Sequence, residues 1–259
     1  MIVSAQNSKI KFVRALLGGA KARRAESAFV AEGVRLVEEA ANNRWGFRFV
    51  LYDETLSGRG KSDVENLRSR GIECEEISPS LMKSLSDTET SQGILAVLDH
   101  SLLSFPRSPK FVLVPDQIRD PGNLGTLIRS ADAAGVDAAL IPPETADPFA
   151  PKVVRAGMGA HFRLPILSMG WEEIARRLDG LQVYLADMEG ESCWHADLRV
   201  PLALIVGGEA EGASAAARRL ATRQVKIPMA GKAESLNAAV AGSVLMFEAM
   251  RQKTVISDQ

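Results

Sequence analysis

"FVLVPDQIRDPGNLGTLIRSADAAG", residues 111–135, reads as a buried strand, a turn bracketed by glycines and a helix. The run FVLV is short, continuous and apolar, as expected of a strand covered on both faces. Beyond the turn, Leu124, Leu127, Ile128 and Ala131 recur at i, i+3, i+4 and i+7, which is one helical face. Asn123 stands where an N-cap belongs, its side-chain oxygen facing the free N–H groups of the first turn. At about 100° per residue Arg129 falls outside the apolar stripe. A capped helix with a solvated arginine accounts for the stretch, and so does a turn that holds a ligand.

The same rhythm continues outward. Strand candidates "AALIP", "HFRLPIL", "QVYLADM", "LALIVGG" and "QVKIPM" follow with helical stretches between most of them, and "SLNAAVAGSVLMFEAMRQ" closes the set as a long helix. Strands alternating with helices predict an open parallel sheet, so the fold class is α/β. Composition agrees. Hydrophobic residues make up 46% of the 259 and aromatics only 5%, so Val, Ile, Leu and Ala must build the core.

Upstream, "SLLSFPRSPK" (101–110) is rich in proline and serine and separates two stretches of different character. It sets the expected division: a smaller α/β domain over 1–103, a linker over 104–110 and a larger domain over 111–259. In the first part "FRFVLYDE", "ECEEIS" and "GILAVLDH" read as strands and "SDVENLRSRG" as a helix, a βαβ-like alternation. "FVAEGVRLVEEA" keeps helical spacing through Val34 and Val37. The chain opens with Lys9, Lys11, Arg14, Lys21, Arg23 and Arg24 and has no acidic residue before Glu26, although the net charge is only −1. Any contact with nucleic acid must therefore come from a local patch.

Other classes are disfavoured. Cys74 and Cys193 are too few for a disulfide framework or a zinc cluster, and Cys193 with His195 lacks further ligands, so no metal is expected. The opening residues lack a signal-peptide core and no run approaches the ~20 apolar residues of a membrane span, so a cytoplasmic protein without membrane association is expected.

Ligands of an open α/β sheet bind beyond the carboxyl ends of its strands, which directs attention to three loops. The first is the opening stretch. It lacks the G-x-G-x-x-G of a dinucleotide fold and the Gly-Lys-Ser/Thr ending of a P-loop. The second, "LALIVGGEAEGAS", runs from a buried strand into Gly207, Gly208, Glu209, Glu211 and Gly212, with both glutamates expected in the first turn of a following helix. The third, "VKIPMAGKAESLNAAVAGSVLMFEAM", breaks its strand at Pro228. Ser235 is the expected N-cap there, with Leu236, Val240, Val244 and Phe247 as the helix's core face.

Taken together, N-x-G-x-x-x-R (Asn123, Gly125, Arg129), G-x-E-x-x-G (Gly207, Glu209, Gly212) and I-P-M with S-L-N (Ile227 to Met229, Ser235 to Asn237) resemble the three motifs of the SpoU, or TrmH-type, RNA 2′-O-ribose methyltransferases of the SPOUT superfamily. "SKIKFVRALLGGAKARRAESAFVAEGVRLVEEA" also looks like the N-terminal RNA-binding domain that many members carry, so the resemblance spans most of the chain. Gly208 and Ala239 depart from it, standing where relatives often have a small polar residue and a serine.

The resemblance implies a C-terminal trefoil knot, an exception to the rule that chains do not thread loops. It also implies a homodimer formed through the catalytic domain, and S-adenosylmethionine as cofactor. Gly207, Gly208, Gly212, Ile227, Met229 and Leu236 match cofactor-binding positions; Arg129, Asn123, Glu209, Ser235 and Asn237 match catalytic ones. Arg129 would be central. A guanidinium stays protonated, so gripping a phosphate and stabilising an oxyanion suit it better than acting as a base without a phosphate relay. Glu209 is its expected hydrogen-bond partner. The six basic residues of the opening would contact RNA phosphates, ribosomal RNA being favoured over tRNA. A tRNA ribose methyltransferase, or an inactive RNA-binding protein of the same fold, are the alternatives.

Overall fold

The computed structural model describes residues 1–86, 90–100, 103–209, 211–232 and 235–254. The chain forms two compact units, Met1–Leu102 with Phe149–Phe162, and Leu103–Pro148 with Arg163–Gln259. A division at 104–110 does not anticipate that 149–162 leaves the second unit for the first. Aromatic packing accounts for it: within the first unit Phe149 lies 5.0 Å from Phe29 and 4.3 Å from His100, and Phe162 lies 5.3 Å from Trp45 (ring centroids).

The first unit runs α1 (Ser8–Gly18), α2 (Ala20–Glu26), β1 (Ala28–Glu32), α3 (Val34–Asn42), β2 (Phe47–Tyr52), α4 (Gly58–Ser69), β3 (Cys74–Glu76), α5 (Pro79–Leu85) and β4 (Ile94–Asp99). Its sheet has the order β1-β4-β2-β3. Only β2-α4-β3 is a parallel βαβ unit; β4 pairs antiparallel with both β1 and β2. The expected helix over "FVAEGVRLVEEA" is a strand for its first four residues. Gly33, at φ +106, makes the break, and every residue of β1 is buried.

The second unit is built as the alternation predicts: β5 (Phe111–Pro115), α6 (Pro121–Ala133), β6 (Ala138–Ile141), β7 (Ile166–Ser168), α8 (Trp171–Arg177), β8 (Gln182–Ser192), β9 (Leu202–Val206), α9 (Ala215–Leu220), β10 (Arg223–Lys226) and α10 (Ala238–Thr254). Helix α7 (Pro151–Gly157) precedes β7 in the chain but belongs to the first unit. Of "HFRLPIL" only Ile166 and Leu167 fall in β7, because Ala160–Phe162 is a 3-10 turn. All six strands are parallel, in the order β10-β8-β9-β5-β6-β7. β5, β6 and β9 are buried at every residue, which explains their unbroken apolar runs.

This order places the site. From β5 the chain moves outward through β6 to β7, and then returns to the far side of β5 for β8 and β9. The loops after β5 and β9 therefore diverge at a topological switch point, where a crevice opens. Asp116 ties them together: its N–H donates to the Val206 carbonyl (2.8 Å), and its Oδ2 accepts from the Ser214 N–H (2.6 Å). Beside it a Cβ on Gly208 would stand 2.6 Å from the Gln117 carbonyl oxygen, so only glycine fits this approach.

At the sheet's end, β10 pairs with Tyr184 and Leu185 of β8 and then jumps to Glu191 and Ser192. A Cβ on Gly190 would lie 2.4 Å from the Val225 nitrogen, so two backbones meet at a glycine. Helix α10 buries a face other than the expected one. Ala238, Ala239, Gly242, Leu245, Met246 and Ala249 are inside, whereas Val240 and Phe247 are 48% and 41% exposed and Val244 is half-buried. Close packing on α6 makes this choice: a Cβ on Gly242 would lie 2.4 Å from a Leu127 methyl. A larger side chain cannot stand at position 242.

Candidate functional site

Three loops deliver their polar residues to one place. Helix α6 is capped by Asp120 and not by Asn123, the Asp120 Oδ1 accepting from the Asn123 N–H (2.8 Å). With Pro121 as the first residue, Asn123 is the third residue of the helix and its side chain is free of capping. Its Nδ2 donates to Glu209 Oε1 (2.9 Å). Helix α10 is likewise capped by Asn237, not Ser235: the Asn237 Oδ1 accepts from the N–H groups of Ala239 (3.0 Å) and Val240 (3.2 Å). That leaves the Asn237 Nδ2 to donate to Asn123 Oδ1 (3.1 Å) and to Glu209 Oε1. The Ala238 N–H reaches the same carboxylate oxygen (3.2 Å).

Glu209 is thus the hub of a triangle with one member from each loop. It stands on a tight turn, not in a helix. Gly208 and Gly212 exchange two backbone hydrogen bonds of 3.1 Å, with Gly212 at φ +68, and α9 begins only at Ala215 with Ser214 as its cap. Arg129 is exposed on α6. The expected bond between Arg129 and Glu209 is not formed among the described residues; the asparagines and the Ala238 backbone take its place.

Two cavities adjoin this triangle. The larger, about 500 Å³, is lined by Gly207, Gly208, Gly212, Ile227, Met229 and Leu236, the whole expected cofactor set, and also by Glu209, Ser235 and Asn237. Val206, Val225, Ala241 and Leu245 supply apolar wall. The smaller, about 170 Å³, is lined by Gln117 to Asp120 and Asn123 together with Gly208, Glu209, Glu211 and Ala238. Gly208, Glu209 and Ala238 border both, so the triangle lies at their partition.

The sequence reading missed Asp187 and Arg218, which line the larger cavity and pair at 2.7 Å. Burial opposes the charge on Asp187, but the Glu189 N–H and the Arg218 guanidinium outweigh it and hold the carboxyl below its usual range. One signal was available: Asp187 ends the apolar run of β8, and ligands gather at the carboxyl ends of parallel strands. Behind the site Asp116 is fully buried, and desolvation pushes its carboxyl upward against the pull of the Ser214 N–H. Cys193 is buried too, its thiol pushed up to about 11 chiefly by desolvation, the reverse of a metal-ready thiolate.

The basic opening divides. Arg23 is buried and donates to the Leu16 and Leu17 carbonyls at the end of α1. Lys9 pairs with Glu73 (2.6 Å) and Glu75. Both are engaged inside the first unit, whereas Lys11, Arg14, Lys21 and Arg24 are exposed. No helix among the described residues is long and apolar enough to cross a membrane.

Comparison with known proteins gives consistent matches. The family model for SpoU rRNA methylases matches residues 110–247, and that for the MRM3-like substrate binding domain matches residues 7–96. The 23S rRNA (guanosine(2553)-2′-O)-methyltransferase RlmP of Bacillus subtilis is 36% identical over 250 residues, covering 95% of this chain and 97% of that one. The crystal structure of the SpoU methyltransferase AviRb from Streptomyces viridochromogenes in complex with AdoMet superposes with a TM-score of 0.87 at 33% identity, covering 96% of this chain and 99% of the other. An AdoMet-bound rRNA methyltransferase from Sinorhizobium meliloti gives 0.85 at 30%, covering 96% and 97%.

Proposed function

Because the chain belongs to the SpoU rRNA methylase family, we propose that it methylates the 2′-oxygen of a ribose in ribosomal RNA with S-adenosylmethionine as donor. The observation that carries this reading is the Asn123–Glu209–Asn237 triangle at the partition between two cavities. A methyl transfer needs two ligands held on either side of one point, and this is such a point.

The larger cavity fits the cofactor. Its glycine backbone and short apolar side chains suit an adenine, and its charged pair suits the amino-acid end. When bound there, S-adenosylmethionine supplies an electrophilic methyl group on a sulfonium. Gly207, Gly208, Gly212, Ile227, Met229 and Leu236 would hold it, with Glu209 and Asn237 lining the same cavity. The target nucleotide enters from the side of the smaller cavity. Arg129 would grip its phosphate and stabilise charge on the 2′-oxygen as the hydroxyl passes its proton to that phosphate. Asn123 and Asn237, fixed through Glu209, orient the ribose, and Ser235 lines the larger cavity with Asn237.

The finer expectations have support of their own. For a trefoil knot, it is the register jump of β10 along β8 and the backbone crossing at Gly190. For a homodimer through the second unit, it is the exposed Val240 and Phe247, with the half-buried Val244 between them, on α10. For RNA binding by the first unit, it is the substrate-binding family model and the exposed Lys11, Arg14, Lys21 and Arg24. A cytoplasmic location agrees with a ribosomal RNA substrate and two free cysteines.

The test is transfer of tritiated methyl to ribosomal RNA from a strain lacking the gene, with digestion to nucleosides. Label in a 2′-O-methylnucleoside is expected; absence of transfer, or label on a base, would refute the reading.

A further inference from the structure

Among the apolar side chains and glycine backbone of the larger cavity, one ion pair stands out. The Asp187 side chain is 15% exposed, and its two oxygens are divided: Oδ1 accepts from the Glu189 N–H (3.1 Å) and Oδ2 from Arg218 Nη1 (2.7 Å). Arg218 reaches over from α9, and its Nη2 stands 3.4 Å from where a Cβ on Gly212 would be, against the 207–212 turn. One edge of the guanidinium is thus committed to Asp187 while donors remain. Desolvating such a pair costs about as much as the attraction returns, so stability alone gives little reason for it in a ligand cavity.

We propose that Asp187 and Arg218 form the subsite for the amino-acid end of the cofactor, Arg218 donating to the α-carboxylate and Asp187 accepting from the α-ammonium. This rests on the reading that the cavity holds S-adenosylmethionine. The sulfonium has to lie beside Glu209 and Asn237, where the acceptor oxygen arrives. The adenine takes the slot walled by Val206, Val225, Ile227 and Leu245. What remains is a zwitterion carrying both charges on one carbon, and the cavity offers a carboxylate and a guanidinium already side by side. Lys226 also lines the cavity, but no carboxylate is paired with it among the described residues, so it does not match both charges.

Calorimetry on the full-length protein tests this with three probes: S-adenosylmethionine, decarboxylated S-adenosylmethionine and 5′-methylthioadenosine, which lacks the amino-acid end. Arg218→Met should weaken S-adenosylmethionine about 10- to 100-fold and leave the other two unchanged. Asp187→Asn should weaken both amine-bearing probes and spare 5′-methylthioadenosine, while Lys226→Met should alter none. Equal weakening of all three probes in Arg218→Met would reduce the pair to a strut between β8 and α9. Unchanged S-adenosylmethionine affinity would equally overturn the subsite. Failure of the wild-type protein to bind S-adenosylmethionine would instead overturn the cofactor reading itself.

Discussion

Asn123 donates its Nδ2 to Glu209 Oε1 over 2.9 Å, although 86 residues separate them. Each is released for the task by another residue: Asp120 caps α6 in place of Asn123, and the Gly208–Gly212 turn keeps Glu209 out of α9. Asn237 closes the triangle while capping α10 with its other side-chain atom.

Arg129 stands exposed on α6, bonded to no member of this triangle and lining neither cavity among the described residues. Arg129→Ala should lower turnover on RNA about 100- to 1,000-fold. Calorimetric affinity for S-adenosylmethionine should not change. Arg129→Lys should fall between, since it keeps the charge and loses the planar fork. Full turnover in the alanine variant would remove Arg129 from the mechanism.

The two asparagines should be coupled. Asn237→Ala removes a cap as well as a site contact, so it should cost about 1 kcal/mol in denaturant unfolding, which Asn123→Ala should not. In a double-mutant cycle on turnover, the pair should show a coupling of about 0.5–3 kcal/mol. Strict additivity would mean that the triangle does not act as a unit.

Two glycines should separate by their surroundings. A Cβ at Gly190 meets the Val225 backbone at 2.4 Å, so Gly190→Ala should destabilise the second unit by about 3 kcal/mol. Gly231 has open space around it, and Gly231→Ala should leave the unfolding midpoint unchanged. Equal midpoints for both variants would contradict the close crossing.

Asp116 makes stability depend on pH in a definite direction. Its folded carboxyl is raised, so the folded protein holds the proton more tightly than the unfolded chain does. The associated stability is fully present below the unfolded pKa and is lost as pH rises through the folded value. Asp116→Asn does not titrate and can still accept from Ser214. Melting curves from about pH 4 to about pH 8 should therefore show the variant gaining on the wild type as pH rises. A constant difference would argue against the desolvated carboxyl.

The basic opening should divide under substitution as it does in the structure. Replacing Lys11, Arg14, Lys21 and Arg24 by glutamine should weaken RNA binding and flatten its salt dependence without altering the melting temperature. Arg23→Met should lower the melting temperature instead, because its guanidinium closes the end of α1. An unaltered salt slope in the fourfold variant would exclude the segment from RNA contact.

Strands β5, β6 and β9 were legible because fully buried strands need unbroken apolar runs. The motif residues were legible from their order and spacing. Other features were not. Helix α10 is apolar nearly all round, so its pattern alone could not say that Ala238, Gly242 and Leu245 face inward while Val240 and Phe247 face out. The caps were misplaced at Asn123 and Ser235, since several polar residues in each turn satisfy the same local rule and only backbone geometry selects one. Lys9 and Arg23 looked like the rest of the basic patch until Glu73, Glu75 and the end of α1 were placed around them.

By itself, the sequence determined what repeats locally: the strand and helix periods, the polar residues available at each loop and the family to which their order belongs. The tertiary structure decided which of those residues meet. The strand order β10-β8-β9-β5-β6-β7 makes the loops after β5 and β9 diverge, and the register jump of β10 against β8 brings the third loop to the same crevice. Asp187 and Arg218 became neighbours through that same arrangement, on elements 31 residues apart. The physical reason is that side-chain hydrogen bonds and ion pairs act over about 3 Å, whereas sequence periodicity reports only on residues within a turn or two of each other.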